Sequence, residues 1–193
     1  MTEHRAALLV MDVQNGIVSR FAKDEGTLTP IVSAVDAARA ANIPVMFVRV
    51  AFRPGLTEVS PNNKSFSAIA GAGGMTADDE STQVHSSVAP RDGEPVITKR
   101  RVSAFSGSDL EVILRAQSID TLVLCGIATS GVVLSTLREA ADKDYRITVL
   151  ADACLDADPE VHRVLTEKVF PRQADVLSSA DWIQSLPSSN SSH

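Results

Sequence analysis

An α/β fold, a three-layer α/β/α sandwich around a mostly parallel central sheet, is what this sequence predicts, and three observations carry it. The first is the segment Ala6–Val13 (AALLVMDV), a nearly unbroken apolar run with Asp12 at its end. A strand buried on both faces reads this way, which points to a parallel sheet. The second is the alternation of such runs with helical patterns along the chain, because strand–helix–strand crossovers cover both faces of a sheet. The third is composition. Of 193 residues, 44% are hydrophobic but only 4% aromatic, so the core has to be Val and Ile strands under Ala and Leu helices.

Each element has its own signal. Thr29–Ala41 starts with Thr at the cap and Pro30 at the first helical position, and Ile31, Val35 and Ala38 recur at helical spacing. Pro44–Val50 is the second strand. The spacing then predicts a strand at Pro95–Lys99, a helix at Asp109–Gln117 and a strand at Thr121–Cys125. A helix at Ser130–Lys143, a strand at Arg146–Leu150 and a helix at Pro159–Val169 follow, then a short strand at Ala174–Leu177 and a helix at Ala180–Leu186. These make residues 1–186 a single domain, with the Ser-rich residues 187–193 as a disordered tail. Between residues 51 and 93 the chain is rich in turn signals such as Pro54-Gly55 and Gly73-Gly74. So long a connection reads either as a lid or subunit contact, or as a mobile surface excursion.

Charge and cysteine usage exclude several classes. The formal net charge is −6 and the longest basic run is Lys99-Arg100-Arg101, so no nucleic-acid partner is expected. No apolar stretch approaches the roughly 20 residues of a membrane span, and no signal-peptide pattern is seen. Two cysteines, Cys125 and Cys154, fall in or just beyond strands, which suits a reducing cytoplasm rather than a disulfide scaffold.

In sheets of this kind, ligands collect outside the carboxyl ends of the strands. Three segments place polar residues there: Asp12-Val13-Gln14-Asn15, Lys99, and the strand–turn–helix junction Leu124–Val132. Each has a plain alternative: an Asp that caps a turn, a solvated strand end, an ordinary turn capped by Thr129 or Ser130. Gly126 and Gly131 allow close backbone approach, and the N–H groups that open the following helix suit an anion. Arg49, Arg53 and Lys64 are candidates for a carboxylate, and Phe21, Phe52 and Phe66 for an apolar wall. No phosphate-binding GxGxxG or P-loop pattern is present.

Taken together, LLVMDVQNGIV, TKRRVSAFSGSDL and VLCGIATSGVVLSTLREAADKDYRITVLADAC resemble the isochorismatase-like hydrolase superfamily, with its nicotinamidases and ureidoacrylate and N-carbamoyl amidohydrolases. The resemblance runs from Ala6 to about Trp182. It implies Asp12 as the catalytic aspartate and Lys99 as the catalytic lysine; Gln14, Phe21, Phe52 and Arg53 are candidates for contact with a small-molecule substrate by their position in the chain alone. It places a non-proline cis peptide at Ile127–Ala128, aiming the N–H groups of the turn through Ser130 and Gly131 at an oxyanion.

In the amidase branches a cysteine lies six residues after the glycine; counted from Gly126, that position is Val132, and valine cannot attack a carbonyl. Cys125 precedes the glycine and is expected to point into the sheet. The Ser130 hydroxyl is two positions out of register. In the isochorismatase branch, which also lacks the cysteine, the aspartate protonates a vinyl ether and water adds to the resulting cation. That chemistry needs an acid raised by burial and a lysine beside it.

Nicotinamidases bind metal through histidines after the second strand, where this chain has Arg49–Arg53 and no histidine, so no metal and no cofactor is expected. The resemblance implies a homo-oligomer, a dimer or larger. The leading expectation is a hydrolase of a small anionic metabolite that uses Asp12 and Lys99. The rivals are a non-catalytic binding or assembly protein and an amidase using Ser130 or water.

Overall fold

The computed structural model describes residues 4–22 and 24–187. Its sheet has six strands, all parallel: β1 (Ala6–Met11), β2 (Val45–Val50), β3 (Val96–Lys99), β4 (Thr121–Ile127), β5 (Arg146–Leu155) and β6 (Asp175–Leu177). The spatial order is β3-β2-β1-β4-β5-β6. Strand order reverses between β1 and β4, and a crevice opens outside the carboxyl ends of the strands at such a switch point.

Residues on alternate sides of each strand feed two cores. Ala7, Leu9, Met11, Met46, Val48, Leu122 and Leu124 pack under α4 (Leu110–Ala116), α5 (Leu134–Asp142) and Phe170. Leu8, Val10, Val45, Phe47, Val123 and Cys125 pack under α1 (Asn15–Phe21), α2 (Thr29–Ala40) and α7 (Ser179–Ser185). The two remaining helices are α3 (Lys64–Ala72) and α6 (Pro159–Val164). The predicted sandwich is therefore what the chain forms.

Several predicted boundaries move. β1 stops at Met11, because Asp12 takes φ +55. That left-handed conformation is one Asp and Asn tolerate better than other side chains. β5 runs five residues past the predicted Leu150. The helix predicted from Ser130 is a wide turn over Thr129–Val133, kinked at Gly131, that leads into α5. Helix α1 was not anticipated, and α3 arises inside the segment read as irregular.

That segment, residues 51–93, folds back over the strand ends. Phe52 donates its N–H to Met75 O at 2.8 Å, and Ala77 donates to Phe52 O at 3.0 Å. Asn15 donates to Gln83 O, and His85 to Val13 O. Gly16 on α1 lets Ser81 come close, since a Cβ there would lie 3.0 Å from the Ser81 Cβ. The predicted disordered tail falls, apart from Pro187, outside the described residues.

Candidate functional site

Asp12 and Lys99 meet at the carboxyl ends of strands that are not neighbours. Strands are spaced about 4.8 Å apart, so β1 and β3 stand roughly 10 Å apart with β2 between them. Only a long side chain reaches across, and Lys99 Nζ lies 3.0 Å from Asp12 Oδ2. Both side chains are buried, 8% exposed for Asp12 and 2% for Lys99. The ammonium also donates to Arg101 O at 2.9 Å.

The segment after Lys99 is held against α5. Ser103 Oγ donates to Glu139 at 2.6 Å, and the Ala104 N–H donates to Thr136 Oγ1 at 3.0 Å. Arg100 turns back to Glu58 at 3.2 Å, with its side chain mostly covered.

The two oxygens of the Asp12 carboxyl differ. Oδ2 is held by Lys99, while Oδ1 is buried without a hydrogen-bond partner among the described residues. Burial pushes the carboxyl above its ordinary range, and the charge and hydrogen bond of Lys99 pull it partly back. A buried polar atom left unpaired is costly, and Oδ1 is the Asp12 oxygen that makes no bond among the described residues.

The turn after β4 closes the other side of the crevice. Gly126 adopts φ +138, and a Cβ there would sit 2.0 Å from Met11 O, so only glycine lets β4 run this close to β1. The Ile127–Ala128 bond is cis, as the resemblance implied. Two N–H groups expected to face an oxyanion are instead committed within the protein. Ser130 donates its N–H to Asp156 Oδ2 at 2.7 Å, and Gly131 donates to Ala128 O at 3.1 Å.

Thr129, fully buried, shares a hydrogen bond of 2.8 Å with His162 Nδ1 and so ties the turn to α6. Val132 is buried in the core. Cys125 points into the sheet as predicted, its thiol donating to Leu9 O at 3.5 Å, and burial pushes its pKa well up. The Cys154 thiol is pushed up to about 12, again by burial. Neither cysteine is a thiolate at neutral pH.

The remaining candidates separate. The Gln14 side chain is spent on the backbone: Nε2 donates to Val50 O and Thr82 O, and Oε1 accepts from the Val50 N–H. It positions β2 and the 51–93 segment rather than offering hydrogens to a substrate. Arg49 bonds Thr98 Oγ1, Ala77 O and Gln83 Oε1. Arg53 is an exposed residue paired with Glu58 at 2.6 Å. Phe52 and Phe66 meet edge to face at 5.5 Å, but Phe21 packs with the other core, so the three do not form one wall.

Beside Gln14 and Val50 lies a cavity of about 430 Å³ between α1, α3 and the 73–82 loop. Asp12 and Lys99 are not in its lining, but Gln14, two residues after Asp12, and Val50, the register partner of Lys99 across β2 and β3, are. Arg20, from the unanticipated helix α1, is the only charged residue in its lining among the described residues. Among the described residues, no group of three or more His, Cys, Asp or Glu side chains is placed to hold a metal ion. No helix described is long and apolar enough to cross a membrane.

Residues 6–181 match the family model for the isochorismatase domain. The chain belongs to the isochorismatase family. Within that family it is 34% identical over 183 residues to the uncharacterized isochorismatase family protein YwoC of Bacillus subtilis, with 94% of each chain covered. It is also 34% identical over 179 residues to the ureidoacrylate amidohydrolase RutB of Methylobacterium radiotolerans, covering 81% of this chain and 69% of that one. A cysteine hydrolase structure from Pseudomonas syringae pv. phaseolicola shares the isochorismatase-family fold at a TM-score of 0.85 and 22% identity, over 93% of this chain and 91% of that one.

Proposed function

We propose that this isochorismatase-family member is a hydrolase of a small anionic metabolite in which Asp12 is the acid, Lys99 its partner, and no cysteine takes part. The observation that carries the reading is the unpaired, buried Oδ1 of Asp12 beside an Oδ2 held by Lys99. A carboxyl raised by burial keeps its proton further toward neutral pH and can deliver it to a substrate atom in the crevice. Water then adds to the cation so formed, and the ammonium of Lys99 stabilises the carboxylate left behind. The added water loses a proton that restores Asp12, and the hemiketal so formed breaks its C–O bond to the leaving oxygen, which takes the hemiketal's hydroxyl proton as an alcohol and a carbonyl compound are released.

RutB is named for amide hydrolysis, and a thiol route of that kind needs a cysteine where the resemblance puts Val132. The valine therefore supports the thiol-free route. It equally suits a member that binds without reacting. Oligomerisation belongs to the same proposal: β3 lies at the sheet edge, with Val96 and Val112 exposed beside it, and light scattering would give the assembly.

The test is turnover of isochorismate and of small carboxylated amides, including ureidoacrylate, by wild type, Asp12→Asn and Lys99→Ala. General acid catalysis contributes about 10²–10⁴-fold, so Asp12→Asn should lose that much, and iodoacetamide should leave wild-type turnover unchanged. If wild type and Asp12→Asn are alike and neither turns over any of these compounds, the non-catalytic reading replaces this one.

A further inference from the structure

The cavity beside the pair has an asymmetric lining. Its apolar wall comes from Ile17, Val50, Phe66, Ile69 and Met75, and Gln14, Ser81, Thr82 and Arg20 supply its polar side chains. Three of those four have no side-chain hydrogen to give. Gln14 donates to Val50 O and Thr82 O, Ser81 Oγ donates to Gly74 O, and Thr82 Oγ1 is bonded to Thr76 O and Asp79 O. Arg20 is exposed, and it has neither a carboxylate partner nor a side-chain hydrogen bond among the described residues. Among the described residues, its five N–H groups are the side-chain donors the cavity can still offer.

We infer that this cavity selects small carboxylates with an apolar body over neutral analogues, the body lying against Phe66, Ile69 and Met75 and the carboxylate bonding to Arg20. A neutral polar head would find the other side-chain donors already occupied. A planar guanidinium matches a carboxylate with two parallel hydrogen bonds, so the acid is the group it fits best. The cavity volume is within the range of small-molecule sites. This names a substrate class for the site proposed above and rests on that reading for its link to catalysis. The selectivity itself rests on the lining alone.

Binding is read without turnover by labelling the methionine methyl groups and titrating 3-phenylpropanoate, with 3-phenylpropan-1-ol as the neutral comparator. Met75 lines the cavity, whereas Met46 is buried in the core and serves as the internal control. The expected result is a saturable shift of the Met75 methyl with Met46 unmoved, and weaker binding of the alcohol. Arg20→Met should weaken the acid at least tenfold, the change that about 1.4 kcal/mol makes, and leave the alcohol unaffected. Arg20→Lys should recover part of the loss, and an unchanged Met46 resonance shows that each variant is folded.

Equal affinity for acid and alcohol, an acid affinity indifferent to Arg20→Met, or no saturable Met75 shift would each overturn the inference. If the titration behaves as expected and no hydrolysis is found, the catalytic reading falls and the selectivity stands.

Discussion

Replacing Asp12 by Asn keeps the left-handed backbone at φ +55 and removes the charge, so it isolates what the carboxylate does to stability. Burial raises the carboxyl and Lys99 only partly offsets this. A group raised in the folded chain contributes stability that is complete below its unfolded value, here the ordinary 3.8, and is lost as pH rises through the folded one. Asp12→Asn should therefore gain stability relative to wild type as pH increases from below 3.8 toward neutrality, measured by urea unfolding across that range. A loss of about 3–5 kcal/mol at pH 7 would mean instead that the attraction to Lys99 dominates. Lys99→Met removes the influence that lowers the Asp12 carboxyl. The pH at which activity declines, set by deprotonation of the acid, should then move upward while kcat falls, as a pH profile of kcat/KM and kcat would show. Asp12 and Lys99 were legible in the sequence because each ends an apolar run, and a polar residue at that point of a parallel sheet faces the crevice. The duties of Gln14 and Arg49 were not legible, because their partners Thr82, Ala77 and Gln83 lie about 30–70 residues away and bond through geometry that no local pattern encodes.

At the scale of elements, the junction between β1 and β4 depends on one missing methyl group. A Cβ on residue 126 would overlap Met11 O, which is itself fixed in the sheet, and the φ of +138 is one that side chains other than glycine rarely adopt. Gly126→Ala should cost about 3 kcal/mol or more, combining overpacking with backbone strain, and chemical denaturation would measure it. The strands were read from unbroken apolar runs, and all six are present. Helix α1 escaped notice because its seven residues follow directly on the acid of β1 and bury only Val18, too few turns for a hydrophobic period to show. The wide turn at Thr129–Val133 reads in sequence as the first turn of a helix, because Ser130 and Gly131 suit a start. Its real anchors, Asp156 and His162, come from the next strand–helix unit.

Across the whole molecule, one sheet carries two cores that share every central strand, so neither face can lose its packing while the other keeps its own. Trp182 belongs to the core under α2 and α7, and Tyr145 to the core under α4 and α5. Urea unfolding followed by tryptophan fluorescence, by tyrosine near-ultraviolet absorbance and by far-ultraviolet circular dichroism should give one common midpoint; separated midpoints would show that the faces unfold independently. The same architecture divides the work of the site. Asp12 and Lys99 stand on the sheet, where a shift in either would disturb both cores, whereas most of the cavity wall comes from the 51–93 segment. That segment is tied to the scaffold at a few points, through Phe52, Gln14, Asn15 and His85. Insertions, deletions and substitutions between those ties can reshape the cavity while the proposed proton donor stays in place. A lineage with this arrangement can exchange one diet for another without reinventing its chemistry.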